Sequence, residues 1–340
     1  MDKDRLMHKA MLYEPLENKR VHCFLCSHHC RIAPSNYGIC GVRRNEDGIL
    51  YTMVYGSVIA SHIDPIEKKP LYHFLPGTKS YSIATIGCNF KCSFCQNWVI
   101  SQASLQNGSM GGYEMTPGEI VSEALKNRCR SISYTYTEPT IFFEYAFDTA
   151  KLAREAGLLN VFVTNGYMTE EAIDVIKPYL DAANVDLKSF SDEYYRKMCK
   201  ARLQPVLDTI VRMKEKNIWV EVTTLIVPGE NDSEDELNNI AQFLSDVSID
   251  IPWHISRFFP NYNLSDHSAT PLETLLKARE IGKKHNIRFI YLGNVDGYGD
   301  TRCYNCNTLL VKRAYLTTQK NSLTDIVCPN CGAELKGIWK

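Results

Sequence analysis

From Tyr81 to Leu292 the chain alternates short β-like runs with longer helix-like ones, and this rhythm constrains the fold more than any other feature. Strands are predicted at Tyr81–Ile86, Ser131–Thr137, Asn160–Thr164, Ala183–Lys188, Ile218–Val227 and Pro252–Arg257, with Arg288–Leu292 available as a seventh. Helices are predicted between them: Thr116 to about Arg128, Pro139–Ala156, Thr169–Leu180, Ser191–Lys200, Pro205–Lys216, Ser233–Asp246 and Pro271–His285. Thr116-Pro117-Gly118-Glu119 reads as an N-cap with Pro at N1 and an acid at N3, and Gly157 as a helix stop. Strands separated by helices pair in parallel through right-handed crossovers, so the predicted fold is α/β, an open partial (β/α)6 TIM-like barrel. Gln106–Gly112 (QNGSMGG) is predicted to be a loop.

Several strands carry polar residues on one face. The period of two sets Asp186 with Lys188, Glu221 with Thr223, His254 with Ser256, and Ser131 with Ser133, Thr135 and Thr137. If the apolar faces meet the helices, these faces line an interior. A packed interior would leave charges unpaired at several kcal/mol each, so a polar ligand is expected there.

The cysteines sharpen this reading. The chain has 13 in 340 residues, about 4%, below the roughly 8 to 10% of a disulfide scaffold. No run approaches 18 apolar residues, and the N-terminus (MDKDRLMHKA) is charged where a signal peptide would be apolar. The expected location is therefore cytoplasmic and away from membranes, where clustered thiols bind metals or do chemistry. With 38 Lys+Arg against 39 Asp+Glu the net charge is −1, which argues against a dedicated nucleic-acid binder.

All but Cys129 and Cys199 fall into three groups. Cys303-x2-Cys306, 21 residues, and Cys328-x2-Cys331-Gly332 form two C-x2-C turns, the pattern of a closed tetrahedral zinc ribbon. Cys23-x2-Cys26-x3-Cys30-x9-Cys40, interleaved with His22, His28 and His29, can hold zinc or an iron–sulfur cluster, zinc being preferred. The middle group is incomplete: Cys88-x3-Cys92-x2-Cys95 follows a predicted strand and the flexible Gly87, with no fourth cysteine nearby. Three thiolates suit three irons of a [4Fe–4S] cube and leave the fourth open, the mark of a reactive site. Cys129 and Cys199 are read as small structural residues, Tyr134, Tyr136, Phe142, Phe143 and Tyr145 as core aromatics, and Glu234-Asp235-Glu236 as a solvated first helical turn.

The sequence CNFKCSFCQNW directly after the first strand resembles the signature of radical S-adenosylmethionine (SAM) enzymes. With Asp64–Gly77, the VDLK strand, TTLIVPGEND (Thr223–Asp232), WHISRFFPNYN (Trp253–Asn263) and the terminal CPNCG, nearly the whole chain resembles the AmmeMemoRadiSam-system radical SAM enzymes, relatives of the pyruvate formate-lyase activase. The resemblance implies that Cys88, Cys92 and Cys95 hold a [4Fe–4S] cluster. It implies that Asp186, Lys188 and His254 contact SAM, and that Thr164 and Asn165 lie near its ribose. SAM would then be cleaved to a 5′-deoxyadenosyl radical that abstracts hydrogen from an unidentified substrate. One departure stands out: the Gly-Gly-Glu stretch common in the superfamily is replaced by Tyr136-Thr137-Glu138-Pro139, which keeps Glu138 as a candidate SAM contact or a helix-start carboxylate.

Expected partners are an electron donor such as flavodoxin or ferredoxin, a Memo-like protein and an AMME-type protein. The competing functions are a glycyl-radical enzyme activase and a non-enzymatic iron–sulfur or zinc adaptor. The expected division is residues 1–75 as a cysteine-rich module and lead-in, 76–295 as the barrel and 296–340 as the zinc-ribbon module.

Overall fold

The computed structural model describes residues 7–103, 105, 112–323 and 326–340. Except for Gly112, the loop predicted at Gln106–Gly112 lies outside them. The centre of the molecule is an eight-stranded sheet, β1 (Ala60–Pro65), β2 (Lys79–Ala84), β3 (Ser131–Tyr134), β4 (Leu159–Thr164), β5 (Ala182–Asp186), β6 (Trp219–Ile226), β7 (Trp253–Arg257) and β8 (Ile290–Gly293). Each strand pairs with the one before it. All pairs are parallel except β1 with β2, which is antiparallel.

All seven predicted strands therefore exist, and Ile290–Gly293 is a full partner of Trp253–Arg257. The antiparallel edge β1 was not foreseen, because the three polar and three apolar residues of ASHIDP neither alternate nor form an apolar run. It is anchored by Asp64, whose carboxylate binds Lys68 at 2.8 Å, Lys69 at 2.6 Å and the Tyr136 hydroxyl. Strand β3 stops at Tyr134 rather than Thr137, since Tyr136 takes a left-handed backbone (φ 63°) that ends the ladder.

The connecting helices are α1 (Pro117–Lys126), α2 (Phe143–Glu155), α3 (Glu170–Ile176), α4 (Gln204–Glu215), α5 (Glu234–Val247) and α6 (Leu272–Lys284). Helix α1 begins with the predicted capping box, Thr116 accepting from the Glu119 amide while Glu119 accepts from the Thr116 amide. The helix predicted at Ser191–Lys200 is instead one short turn (Asp192–Tyr194) running into a π-helical turn (Tyr195–Cys199). Two small three-stranded sheets precede the central sheet, and a third, formed by Thr301–Arg302, Leu309–Ala314 and Thr317–Asn321, follows it.

The polar strand faces satisfy one another more fully than expected. Ser131 donates to Ser80 at 2.9 Å, Ser80 meets Ser133 at 2.6 Å, and Thr223 donates to Asn184 at 2.9 Å. The chain's own segment 70–73 supplies further partners: the Asn184 amide donates to the Pro70 carbonyl at 2.8 Å. Buried Glu221 accepts the backbone amides of Tyr72 (3.0 Å) and His73 (2.7 Å), the Trp219 indole and His254. Burial works against that carboxylate's charge, but His254 and these donors hold it below its ordinary range. The expected polar ligand is thus not needed at this level. Polar groups remain for it at the C-terminal strand ends.

His73 is fully buried between the Lys336 carbonyl (3.0 Å from Nδ1) and the Tyr291 hydroxyl (2.7 Å from Nε2). A carbonyl only accepts, so Nδ1 carries the proton, Nε2 accepts, and the ring is neutral. Burial pulls its pKa from 6.5 down to about 4. The unfolded chain binds this proton near pH 6.5 and the folded chain only near 4, so the stabilisation is present above that window and lost as pH falls through it. The linkage amounts to about 3 kcal/mol. Urea unfolding should therefore show wild type losing its advantage over His73→Gln between pH 7 and 4, and a pH-independent difference would refute the assignment.

Candidate active site

The cysteine loop leaves β2 through Gly87, whose φ of +95° and surroundings require glycine. A Cβ there would stand 2.7 Å from Val42 Cγ1 and 3.1 Å from the Cys40 carbonyl oxygen. The loop is held from several sides. The amides of Lys91 and Ser93 donate to the carbonyls of Cys199 and Met198, both at 2.9 Å, and Asn263 donates to the Ser93 carbonyl at 3.1 Å. Asn97 donates to the Tyr136 carbonyl at 2.8 Å, and Trp98 stacks on Tyr262 with centroids 5.0 Å apart.

The three loop thiols are close enough to resist one another's ionisation. Burial, then Glu138 and Cys92, push Cys88 up, while burial pushes up Cys95, which lies 3.1 Å from the Ser101 hydroxyl. A hydrogen bond with Cys199 and burial push Cys92 up. A thiol set that stays protonated when bare becomes thiolate only when cationic metal replaces the protons. This donor chemistry fits an iron cluster.

Two polar groups flank the loop. Lys188 bonds Asp186 at 2.8 Å at the end of β5, with its ammonium 5.8 Å from the Phe94 ring centroid. Burial opposes that ammonium's charge, but Asp186 and the Cys92 and Cys199 sulfurs outweigh it and raise its pKa. Asn231 donates to the Lys188 carbonyl at 2.7 Å, and Glu236 accepts from the Phe190 amide and the Ser189 hydroxyl. Glu236 is therefore a brace for the turn after Lys188, a correction to the solvated-turn reading.

The second group centres on Glu138, which is 1% exposed. Its Oε1 accepts the Thr140 amide (3.0 Å), the Thr140 hydroxyl (2.5 Å) and the Thr164 hydroxyl (2.7 Å), and Oε2 accepts the Asn165 amide (2.8 Å). Burial still raises its pKa against those bonds. Asn165 in turn donates to Asn89 Oδ1 at 2.7 Å and lies 3.8 Å from Cys88 Sγ. Glu138, Thr164 and Asn165 thus form one chain of contacts ending on the cysteine loop.

Of the residues predicted to form the site, Cys88, Cys92, Cys95, Glu138, Thr164, Asn165, Asp186 and Lys188 surround the loop. His254 is placed differently: its Nε2 is 2.6 Å from Glu221 Oε2, and its ring meets Tyr72 edge-on at 4.8 Å. Cys199, read as structural, packs beside Cys92. No spacing pattern could signal that, because the two lie on separate elements.

The outer cysteine groups differ in geometry. The sulfurs of Cys303, Cys306, Cys328 and Cys331 all lie within 4.8 Å of one another, with the Cys303–Cys331 pair at 3.6 Å and the Cys306–Cys328 pair at 3.7 Å. Side-chain donors, Asn330 foremost and then Thr308, pull Cys306 down to about 5. Cys23, Cys26, Cys30 and Cys40 line a common pocket with His28 and Arg43.

Comparison with known proteins places part of the chain in a family. Residues 82–244 match the family model of the radical SAM superfamily. An uncharacterized protein of Methanocaldococcus jannaschii is 44% identical over 97% of this chain and 99% of its own length. A putative glycyl-radical enzyme activating enzyme of the same organism is 29% identical over 63% of this chain and 78% of its own. A radical SAM methyltransferase from Sphaerobacter thermophilus shares the fold, with a TM-score of 0.52 at 16% identity over 69% of this chain and 71% of its own. The chain carries a radical SAM superfamily domain over residues 82–244 and is an enzyme.

Replacing Glu138 by Ala strands four buried donors, at about 1 kcal/mol or more each. Glu138→Ala should lose at least about 3 kcal/mol in chemical denaturation, whereas a loss below about 1 kcal/mol would mean that water replaces the carboxylate.

Proposed function

We propose that Cys88, Cys92 and Cys95 bind three irons of a [4Fe–4S] cluster and leave the fourth to SAM. The cluster would supply one electron that cleaves SAM to methionine and a 5′-deoxyadenosyl radical, which takes a hydrogen atom from an unidentified substrate. What carries the reading is the convergence of three thiols with a carboxylate–ammonium pair and a polar chain on the C-terminal ends of neighbouring parallel strands. We read the central sheet as the partial (β/α)6 barrel of the superfamily.

Asp186 and Lys188 bond each other, so an amino-acid zwitterion can exchange into the pair, its ammonium onto Asp186 and its carboxylate onto Lys188. Thr164 and Asn165 would face the ribose. Glu138 orients both, and Phe90 and Phe94, both buried, help exclude water from the cysteine loop.

The resemblance of the motifs at Asp64–Gly77 and Trp253–Asn263 supports a role among the AmmeMemoRadiSam-system enzymes, which would bring Memo-like and AMME-type partners and a ferredoxin or flavodoxin as electron donor. A second reading, hydrogen abstraction from a glycine of a partner protein, is favoured by the activating-enzyme relative. The C-terminal cysteines would hold one structural zinc, whose tetrahedral geometry suits sulfurs this close.

Anaerobic reconstitution, reduction and chromatography should yield 5′-deoxyadenosine from wild type and background levels from Cys92→Ala, which also loses the cluster. Asp186→Asn should raise the KM for SAM about tenfold or more. Wild type that binds a [4Fe–4S] cluster but forms no 5′-deoxyadenosine would defeat the reading. Metal analysis of Cys328→Ser should show about one zinc fewer per chain than wild type; unchanged zinc would reject the ribbon.

A further inference from the structure

We propose that Cys23, Cys26, Cys30 and Cys40 ligate a second iron–sulfur cluster rather than zinc, and that this cluster is the electron entry to the Cys88–Cys92–Cys95 site. The metal assignment is independent of the radical reading, and the relay rests on it.

The two outer cysteine sets contrast in geometry. The C-terminal sulfurs have closed to the spacing of a single tetrahedral ion, and among the described residues they are the one set of three or more metal-ligating side chains to do so. The N-terminal four do not close to that spacing; they line one pocket, walled by Leu25, Ile32, Ile39 and Ile141. Four thiols spread wider than one tetrahedral ion requires, within an apolar wall, suit an inorganic core larger than one ion.

The pocket is also built for an anion. Arg43 lines it and is 2% exposed. Its Nη2 is committed to Glu144 (2.8 Å) and the Met11 carbonyl (2.7 Å), while Nε and Nη1 are buried without a partner. A metal centre with four thiolates carries net negative charge and would answer that guanidinium. Backbone amides already aim at the sulfurs: His28 at Cys26, Ile39 at Cys30, and Val42 and Arg43 at Cys40. Hydrogen bonds to sulfur are one of the means by which a protein sets a cluster's potential.

The third observation is adjacency. His28, between Cys26 and Cys30, has Nε2 2.7 Å from the carbonyl oxygen of Asn89, the residue after Cys88. On the other side the Cys40 carbonyl abuts Gly87, the residue before Cys88. One hydrogen bond and one close backbone approach, too tight for a Cβ on Gly87, thus join the two cysteine sets. Zinc has no redox chemistry to use such a junction. Ile39, 50% exposed, marks the pocket's outer side, where a donor can approach. A reduced ferredoxin or flavodoxin would give one electron there, taking the second cluster from 2+ to 1+. That electron then passes to the loop site and the second cluster returns to 2+, with no proton or bond exchanged.

Anaerobically reconstituted wild type should contain about eight irons and one zinc per chain; about four irons and two zincs would overturn the proposal. The Cys88→Ala, Cys92→Ala, Cys95→Ala triple variant should keep about four irons and show a [4Fe–4S]+ electron paramagnetic resonance signal with dithionite. Zinc in place of that signal overturns the assignment, and the wild-type count decides the matter if the variant does not fold. For the relay, Cys26→Ala should lower the ratio of flavodoxin-driven to dithionite-driven 5′-deoxyadenosine by at least about tenfold, 1.4 kcal/mol in barrier terms. An unchanged ratio overturns the relay. If wild type forms no 5′-deoxyadenosine with either reductant, the radical reading fails and the relay with it, while the metal counts still decide the cluster.

Discussion

The arrangement of the molecule depends on one buried carboxylate. Glu221 has no exposure and sits on β6 in the middle of a parallel sheet, where an unpaired charge would cost several kcal/mol. Its oxygens are answered by the backbone of Tyr72 and His73, the Trp219 indole and His254. The lead-in segment is thereby drawn under the sheet, and the C-terminal module follows it. Arg313, 7% exposed, donates to the Tyr72 carbonyl at 2.7 Å, and the rings of His73 and Trp339 meet at 4.7 Å. This end of the sheet is therefore filled by the chain itself, and polar chemistry is confined to the opposite strand ends.

A second buried pair does the same for the N-terminal module. Glu144 on α2 accepts from Arg43 at 2.8 Å and from the Met11 amide at 2.6 Å. Removing either partner would leave a charge buried alone, so the pair fixes orientation more surely than it adds net stability. What it orients is the four-cysteine pocket against Gly87 and Asn89, which makes Arg43 both a tether to α2 and a cation lining the pocket.

Local patterns in the sequence identified what local patterns can. Seven strands, the capped helix at Thr116 and the three cysteine groups were legible, because each depends on a period or a spacing within a few residues. The distant partners of Glu221, the Arg43–Glu144 pair and the Cys92–Cys199 contact were not, since each joins segments far apart in the chain, and the edge strand Ala60–Pro65 was not, since its polar and apolar residues follow no period. The polar strand faces were seen but half misread: Asn184 and Glu221 are met by segment 70–73, while Asp186 and Thr164, at the C-terminal strand ends, flank the cysteine loop. His254 shares a register with Thr223 and yet turns toward Glu221. Periodicity assigns a residue to a face but not to a partner.

If Glu138 is the acid of the superfamily's Gly-Gly-Glu stretch, as the proposed function has it, it stands there without the glycines. A Gly-Gly-Glu stretch brings backbone close to a ligand; here Tyr136 and Thr137 stand in those places, Tyr136 in the left-handed region and Thr137 donating to the Thr85 carbonyl at 2.9 Å. The carboxylate that follows has turned inward. Oε1 is saturated by three donors and Oε2 holds the Asn165 amide, so at most one lone pair remains for anything else. In the function proposed above, its effect on SAM would be exerted chiefly through Thr164 and Asn165, and from Asn165 through Asn89, the residue after the first cysteine of the loop. A residue in that position is a positioning group: its hydrogen bonds tie the end of β4 to the cysteine loop, so that a ligand bound as proposed would meet a geometry set before it arrives.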